Sequence, residues 1–421
     1  MKILWLSPNS GLLTKVNKGY GTGGWIGALL SAVLEVNPPI QIAFAYPYIG
    51  EIESCEQDGI LYYSIQQKKM SVLKKFLVYY GIKHESNNYE TQIKQIIADF
   101  KPDLIHVFGM ENHFIDSLSN VNLPIVVHLQ GLLLPIANAF FPAGFSIKSV
   151  LFPFSKNELI LRNGIGYSYR KLLDSSKKEP QRYRNFHFFM GRTHFDYMLS
   201  SLLSPTSNYY KVNEVLRPIF YKNIGKWKYK NGKIVLFSTL SQATYKGLDV
   251  ILKAADILSK LTEIDFEWRI AGINANSHFT QLFEHHYGLD SKRCNINYLG
   301  ILSAEDLLSE LLNASIFIHP SYIDNSPNSV CEAQILGVPV IACNVGGVSS
   351  ILDDGKSGIL VPANAPYEIV YYVKKLTTDV EYTQTLSQKA SEYASKRHNK
   401  TLIVHDLLSA YTKIITDYSK K

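Results

Sequence analysis

Short apolar runs alternate along the chain with longer segments of helical periodicity. In the first half the runs lie at 3–7, 40–45, 104–108 and 125–129, with amphipathic helical segments such as 25–36 and 92–100 between them. In the second half they lie at 234–238, 266–271, 296–299, 316–319 and 338–342, separated by helical segments that include 248–261 and 304–312. Strands that alternate with helices form parallel sheets, so the pattern predicts an α/β protein with two Rossmann-like halves.

A polar, lysine-rich stretch at 221–233 lies between the two halves and is typical of a linker. We therefore expect an N-terminal domain over 1–221 and a C-terminal domain over 222–398. The remaining residues, 399–421, place apolar side chains on one face of a last helix. Because parallel sheets bind ligands outside the carboxyl ends of their strands, we expect the site in a cleft between the halves.

Composition narrows the class of protein. With 421 residues and 46% hydrophobic residues, the chain is long and apolar enough for two globular domains. Its four cysteines lack metal-ligand or disulfide spacing, and the sequence shows neither a signal peptide nor an apolar run of about 18 residues, so we expect a cytoplasmic protein. The net charge of +7 suits an anionic ligand or membrane surface and is too diffuse to indicate nucleic acid.

The most informative segment is 321–340, where Asp324 and Glu332 lie on either side of an expected loop-to-helix junction. Pro327 fits the first turn of that helix, and Ser326 is a suitable N-cap. Free amides at a helix N-terminus bind anions, and a diphosphate fits there, with one carboxylate on each side of it. The expected donor amides are those of Asn328, Ser329 and Val330.

This segment resembles the retaining glycosyltransferases of family 4, in which an acidic residue is followed, after seven residues, by Glu. The resemblance implies the GT-B fold, two Rossmann-like domains facing each other across a cleft, with a terminal helix that crosses back to the N-terminal domain. It also implies that Asp324 contacts a donor sugar, that Glu332 contacts the ribose of a nucleotide, and that amides near Asn328 and Ser329 bind the diphosphate. The family usually has Glu where this chain has Asp324. The alternative, two solvated acids beside a helix, is disfavoured by the glycine-rich sequence at 337–347.

A second motif follows the expected strand at 234–238. By the resemblance, Lys246 in the Tyr-Lys-Gly sequence opens a helix and meets the donor diphosphate as a point charge. The family often has a Gly-Arg pair a few residues earlier, and this chain has hydroxyl residues there instead. We expect a hydroxyl of Ser238, Thr239 or Ser241 to donate hydrogen bonds in its place. Lys246 as an ordinary surface lysine is the alternative.

A glycine-rich segment, 19–25, contains the Gly-x-Gly-x-x-Gly spacing of dinucleotide sites, but it lies too far beyond the first strand for that function. It resembles the family loop that closes over donor and acceptor, with Gly23 and Gly24 allowing close approach of the backbone. A flexible surface turn is the alternative.

Acceptor contacts are expected at the carboxyl ends of N-terminal strands. The candidates are Glu111, His113, Gln130 and Arg192. Family members often have His at the position of Gln130. The histidines at 106 and 128 are candidates either for ligands or for hydrogen-bonded core residues.

The segment 66–80 combines four lysines with apolar residues, a pattern compatible with a basic amphipathic helix on an anionic membrane or with an ordinary solvated helix. The lysines are Lys68, Lys69, Lys74 and Lys75.

The resemblance implies a retaining, hexosyltransferase-type glycosyltransferase that needs no metal or cofactor. Its co-substrate would be a UDP- or GDP-sugar. Its acceptor would be a saccharide or lipid-linked saccharide in cell-surface polysaccharide or glycolipid assembly at the inner face of the membrane. The sequence has no Asp-x-Asp metal motif. The alternative is a catalytically silent subunit that binds sugar nucleotide or glycan.

Overall fold

The computed structural model describes residues 1–13, 24–49, 54–67, 71, 73, 76–77, 89–112, 114–151, 164–261 and 263–420. The chain divides into two compact units. Unit 1 comprises Met1–Ala137, Tyr167–Val215 and His398–Lys421, and unit 2 comprises Asn138–Gly166 and Leu216–Arg397. The predicted Gly23, His113 and most of the basic segment 66–80, with all four of its lysines, lie outside the described residues.

The strands alternate with helices as predicted. The strands are β1 (Lys2–Leu6), β2 (Gln41–Tyr48), β3 (Ser54–Gln57), β4 (Ile60–Gln66), β5 (Leu104–Phe108), β6 (Ile125–His128), β7 (Phe188–Gly191), β8 (Asn208–Lys211), β9 (Ile234–Thr239), β10 (Phe266–Ala271), β11 (Ile296–Gly300), β12 (Ile316–His319), β13 (Val340–Cys343) and β14 (Ile359–Val361).

The helices within the described residues are, in chain order, α1 (Gly24–Val36), α2 (Glu90–Phe100), α3 (Leu133–Asn138), α4 (Ile147–Leu151), α5 (Ile165–Arg184), α6 (His194–Leu203), α7 (Pro218–Tyr221), α8 (Leu248–Ser259), α9 (His278–Tyr287), α10 (Ala304–Asn313), α11 (Asn328–Leu336), α12 (Pro366–Thr378), α13 (Val380–Arg397) and α14 (Lys400–Tyr418). None of the helices in this described part of the chain is long and apolar enough to cross a membrane.

Unit 1 is built on an eight-stranded sheet with the order β3-β4-β2-β1-β5-β6-β7-β8. All its strand pairs are parallel except the short hairpin of β3 and β4. The strands β1, β5 and β6 are almost completely buried, as expected for a parallel sheet covered by helices on both faces.

The last helix, α14, belongs to unit 1 and buries one face there. Its Tyr411 is fully buried, and the hydroxyl accepts a hydrogen bond from Trp5 Nε1 at 3.0 Å and lies 2.6 Å from His106 Nδ1. At its first turn Lys400 forms an ion pair with Glu35 of α1. The helix is therefore tied to the sheet of unit 1 by buried polar contacts as well as by apolar packing.

Unit 2 contains a six-stranded parallel sheet with the order β11-β10-β9-β12-β13-β14. Strand order reverses next to β9, because β10 lies on one side of it and β12 on the other. Loops that follow β9 and β12 therefore leave the same edge of the sheet at its switch point, which is where open α/β sheets bind ligands.

The limits of the units differ from the expected domain limits in two places. Residues 138–166 belong to unit 2, where Phe145 stacks on Phe283 with ring centroids 4.8 Å apart and the Phe140 carbonyl accepts a hydrogen bond from the Thr244 hydroxyl. Unit 1 gives way to unit 2 at residue 216 and not at 222.

The stretch 221–233, expected to be a flexible linker, is packed against unit 2 at its middle. Trp227 is buried, and its backbone amide donates to the carbonyl of Leu336, the last residue of α11. Its indole donates to the carbonyl of Ala314, the C-cap of α10. The stretch is irregular, as expected for a linker, but the buried Trp227 side chain anchors it to unit 2.

We expect Tyr411→Phe to lower the free energy of unfolding by about 1–3 kcal/mol, since it leaves two buried polar groups of Trp5 and His106 without their shared partner. Chemical denaturation measures this. Tyr418→Phe is the matched control: its hydroxyl, on the same helix, donates to Asn122 at the surface, and its loss should change stability by less than about 0.5 kcal/mol. Equal effects of the two variants would contradict the structural role of Tyr411.

Candidate functional site

The turn that carries Lys246 is fitted closely to the loop that follows β12. Gly247 has φ +82°, and a Cβ there would collide with the carbonyl oxygen of Pro320. The amide of Tyr322 donates to the carbonyl of Tyr245 at 2.8 Å. Glycine after Lys246 is thus required by backbone contact, and the contact brings the end of the lysine motif beside the acidic motif.

Asp324 is fixed by a second glycine contact. Gly346 has φ +54°, and a Cβ there would overlap the Asp324 carbonyl oxygen, which accepts a hydrogen bond from Gly347 at 3.0 Å. The side chain also accepts from the amide of Asn325, through Oδ1, at 3.0 Å. The glycine pair after β13 therefore holds the acidic loop in place.

Lys246 and Asp324 form a direct ion pair, with Nζ 2.6 Å from Oδ2 and side chains that are only 23% and 16% exposed. The Nε2 atom of His319, the last residue of β12, lies 3.2 Å from the same oxygen. Burial alone would raise the pKa of Asp324, but Lys246 and His319 hold it well below its ordinary value. Burial likewise opposes the charge on Lys246, and Asp324 outweighs it and raises the pKa of the ammonium. Both groups are therefore charged at neutral pH.

Helix α11 begins beside this pair. Pro327 is its N-cap, and no side chain in the described residues caps it. The expected N-cap, Ser326, is wrong for that role, because its Oγ is buried without a partner among the described residues, as are Ser321 Oγ and Asn328 Oδ1. The two serine hydroxyls can donate to an anion, and they lie at the positive end of a nine-residue helix.

One of the expected amides is already used. The amide of Val330 donates to the carbonyl of Pro327 at 3.1 Å, so its assignment as an anion donor is wrong. The amides of Asn328 and Ser329, the first two residues of α11, can still donate to an anion, and both residues are half-buried.

Glu332 lies inside α11 and is 4% exposed. Both of its carboxylate oxygens accept from Arg217, Oε1 from Nε and Oε2 from Nη2, each at 2.8 Å. Burial raises the pKa of Glu332, and the guanidinium opposes that rise. Sequence reasoning missed Arg217. A signal was present, since a glutamate on a helix whose neighbours are all buried needs a cation.

The hydroxyl residues of β9 occupy different environments. Ser238 is fully buried, and its Oγ donates to Ile318 and accepts from Trp268, so the expectation that it donates to a ligand is wrong. Its side chain points into the sheet core because alternate strand residues face opposite sides. Thr239, the next residue, is half-buried at the end of the strand.

Tyr322, a second residue that sequence reasoning missed, ties the acidic loop to α8. Its hydroxyl donates to Asp249 Oδ2 at 2.7 Å and lies 3.1 Å from Asn364 Oδ1. Asp249 is fully buried and also pairs with Lys253 at 2.9 Å. The loop around Asp324 is thus anchored at its side chain, at its backbone and at this neighbouring tyrosine.

In unit 1 three predicted acceptor residues lie close together. Glu111 accepts from the Gly131 amide at 3.1 Å, and Gln130 accepts from Trp25 Nε1 at 3.0 Å. The Arg192 guanidinium lies 4.7 Å from the Trp25 ring centroid. Next to Trp25, the predicted Gly24 begins α1 with φ +58°.

The two histidines below this cluster are core residues. Both are fully buried, and His106 Nε2 lies 3.2 Å from His128 Nδ1. Burial lowers the pKa of His106 to about 3 and lowers that of His128 well below its ordinary value. They are neutral under physiological conditions, and His106 contacts both Tyr411 and His128, which favours the core interpretation over the ligand interpretation.

Burial, with a smaller contribution from the nearby Glu179, raises the pKa of Glu111 to about 7, although the backbone amides of Glu111 and Gly131 and the charge of Arg192 oppose the rise. Since this folded-state pKa lies above the ordinary 4.5, the carboxyl favours folding most at low pH, and this contribution is lost as the pH rises through about 7.

Glu111→Gln cannot ionise, and we expect it to gain about 2–3 kcal/mol of stability relative to wild type between pH 5 and pH 8. Urea denaturation at the two pH values measures the difference. The control is Glu392→Gln, an exposed acid on α13, which should show no such trend. A pH-independent difference for Glu111→Gln would mean that the carboxyl is solvated.

Part of the chain is similar in sequence to known glycosyltransferases. Residues 221–397 match the family model "Glycosyl transferases group 1". A D-inositol 3-phosphate glycosyltransferase of Paenarthrobacter aurescens is 31% identical over 151 residues, which is 35% of this chain and 36% of that protein. The chain spans well under half the length of the first curated relatives that it matches.

Similarity among solved structures extends over the whole chain. Sucrose-phosphate synthase of Thermosynechococcus elongatus has a TM-score of 0.73 at 13% identity, covering 99% of this chain and 100% of that one. HepE of Anabaena, solved with UDP-glucose, has a TM-score of 0.60 at 14% identity, covering all of both chains. The chain therefore has the GT-B fold, and its residues 221–397 are similar to the group 1 glycosyl transferases.

Proposed function

We propose that the protein transfers a hexose-type sugar from a nucleoside diphosphate sugar to an acceptor hydroxyl, with retention of anomeric configuration. The observation that carries the proposal is the buried pair of Lys246 and Asp324 beside the N-terminus of α11. A cation and free helix amides suit a diphosphate, and a carboxylate next to them suits sugar hydroxyls.

The donor would be held by unit 2 alone. Lys246 and the amides of Asn328 and Ser329 bind the diphosphate, Asp324 accepts hydrogen bonds from the sugar, and Glu332 accepts them from the ribose. The Anabaena protein solved with UDP-glucose supports a UDP-sugar, and a GDP-sugar is the other candidate. On diphosphate binding, Lys246 exchanges part of its contact with Asp324 for phosphate oxygens, so one lysine serves both groups.

In the chemical step the bond between the anomeric carbon and the diphosphate oxygen breaks, and its electron pair leaves with the diphosphate. The acceptor oxygen forms the new bond on the same face, and its proton passes to the departing phosphate oxygen. Lys246 stabilises the charge that develops on the leaving group, and the dipole of α11 adds to it.

For the acceptor we propose a saccharide or lipid-linked saccharide in cell-surface polysaccharide or glycolipid assembly. The cluster of Glu111, Gln130 and Arg192 in unit 1 supports this, because it combines carboxyl, amide and guanidinium groups that can form hydrogen bonds with sugar hydroxyls. Association of the segment 66–80 with an anionic membrane at the cytoplasmic face belongs to the same proposal.

Removal of Lys246 tests the donor site. We expect Lys246→Ala to raise the transition-state energy by about 2–4 kcal/mol, a loss of roughly 30-fold to 1,000-fold in kcat/KM, because a charge-assisted contact to the leaving group disappears. Lys246→Arg should rescue poorly, since a guanidinium is longer and planar. Lys356→Ala, an exposed lysine of the same unit paired with Asp353, is the control and should keep wild-type rates.

The assay is release of UDP or GDP from a panel of UDP- and GDP-sugars, with and without saccharide acceptors. Full activity of Lys246→Ala would show that another group binds the diphosphate. Tight binding of a sugar nucleotide by wild type, without hydrolysis or transfer, would favour the silent sugar-nucleotide-binding subunit instead.

Metal independence is a separate prediction. Because Lys246 and the helix N-terminus supply positive charge to the diphosphate, we expect transfer activity to survive dialysis against EDTA within about twofold. Added Mg²⁺ or Mn²⁺ should not raise kcat. Loss of activity in EDTA that Mn²⁺ restores would contradict this part of the proposal.

A further inference from the structure

Arg217 lies outside the matched family region and outside both sequence motifs, yet it contacts the most deeply buried acid of the donor site. Its guanidinium donates to both oxygens of Glu332 in a parallel, two-bond arrangement at 2.8 Å. The two residues are 115 positions apart in sequence, and both belong to unit 2.

The side chain of Arg217 is held from its other sides as well. Its guanidinium carbon lies 4.9 Å from the ring centroid of the fully buried Phe220, and its backbone is the N-cap of α7, with Pro218 at the first helical position. Proline fixes the start of that helix, and stacking on Phe220 fixes the plane of the guanidinium group. Arg217 is therefore prearranged and does not adapt its position to Glu332.

The pairing determines what Glu332 can still bind. An ionised carboxylate has about four acceptor positions, and Arg217 uses one on each oxygen. One further position on each oxygen remains, so the paired carboxylate can still accept hydrogen bonds from ligand hydroxyls. Without Arg217, burial would favour the protonated carboxyl, which loses acceptor capacity and is free to rotate.

We propose that Arg217 is a positioning residue that keeps Glu332 charged and oriented to accept hydrogen bonds from hydroxyls of the nucleotide ribose. Recognition of ribose then depends on a residue at the start of unit 2, before the first strand of its sheet. This inference rests on the proposed nucleotide-sugar function and adds to it a group that never touches the nucleotide.

The test compares binding of UDP with that of 2′,3′-dideoxy-UDP by calorimetry, or of the guanosine pair if wild type prefers GDP. We expect wild type to bind the ribose form about 10-fold to 100-fold more tightly, the range for hydrogen bonds to a charged group. Arg217→Met should reduce this ratio to below about threefold while its affinity for the dideoxy form stays near wild type. Arg217→Lys keeps the positive charge but lacks the planar, two-donor guanidinium, so it should retain part of the ratio that Arg217→Met loses.

The matched control is Arg269→Met. Arg269 also contacts two carboxylate groups, those of Glu267 and Glu310, in the same unit but away from Glu332. It should keep the wild-type ratio even if its melting temperature falls, which separates positioning from general destabilisation. Glu332→Gln should behave like Arg217→Met in the ratio.

The outcomes are distinct. If wild type binds none of the nucleotides, the proposed function is wrong, and this inference falls with it. If wild type binds UDP or GDP but does not distinguish the dideoxy form, or if Arg217→Met keeps the full ratio, the nucleotide site stands and the inference is overturned. Should Arg217→Met fail to fold, an unchanged ratio in Arg217→Lys overturns it equally.

Discussion

The ion pair of Lys246 and Asp324 is the interaction on which the rest of the candidate site depends. Two partly buried charges attract strongly only when they are held close, and holding them in place costs conformational entropy. Close backbone contacts hold the two loops in place, since Gly247 lies against Pro320 and Gly346 lies against Asp324. Both close approaches exclude a side chain, so the glycines of the two motifs are geometric requirements of one charge pair.

The polar groups of the two units serve different ends. In unit 1 His106 contacts both Tyr411 and His128, and these neutral groups attach the last helix to the sheet. In unit 2 several buried polar atoms around the start of α11 have no partner among the described residues, although the carboxylates beside them are charged and paired. Unsatisfied buried groups are unfavourable unless they bind something, so their concentration at one helix end favours function over stability.

Much of the fold could be predicted because parallel strands are short, continuous apolar runs, and β1, β5, β12 and β13 all have that form. Lys246 and Asp324 could be predicted because local spacing places each at the end of a strand in the same sheet. Ser238 could not be placed correctly, since a shift of one residue along β9 decides whether a side chain faces the core or the loop edge. Arg217 could not be paired with Glu332 from spacing, because the contact joins residues 115 positions apart. The linker expectation failed for a related reason, as the burial of Trp227 is decided by α11 and not by its glycine-rich neighbours.

The central claim is that the charge pair and the start of α11 form the donor site. A crystal structure of the protein with an unhydrolysed nucleoside diphosphate sugar tests it most directly. The account predicts the diphosphate within hydrogen-bonding distance of Lys246 Nζ and of the Asn328 and Ser329 amides, with a sugar hydroxyl on Asp324. A nucleotide bound elsewhere, with the Lys246 and Asp324 pair unchanged, would contradict it.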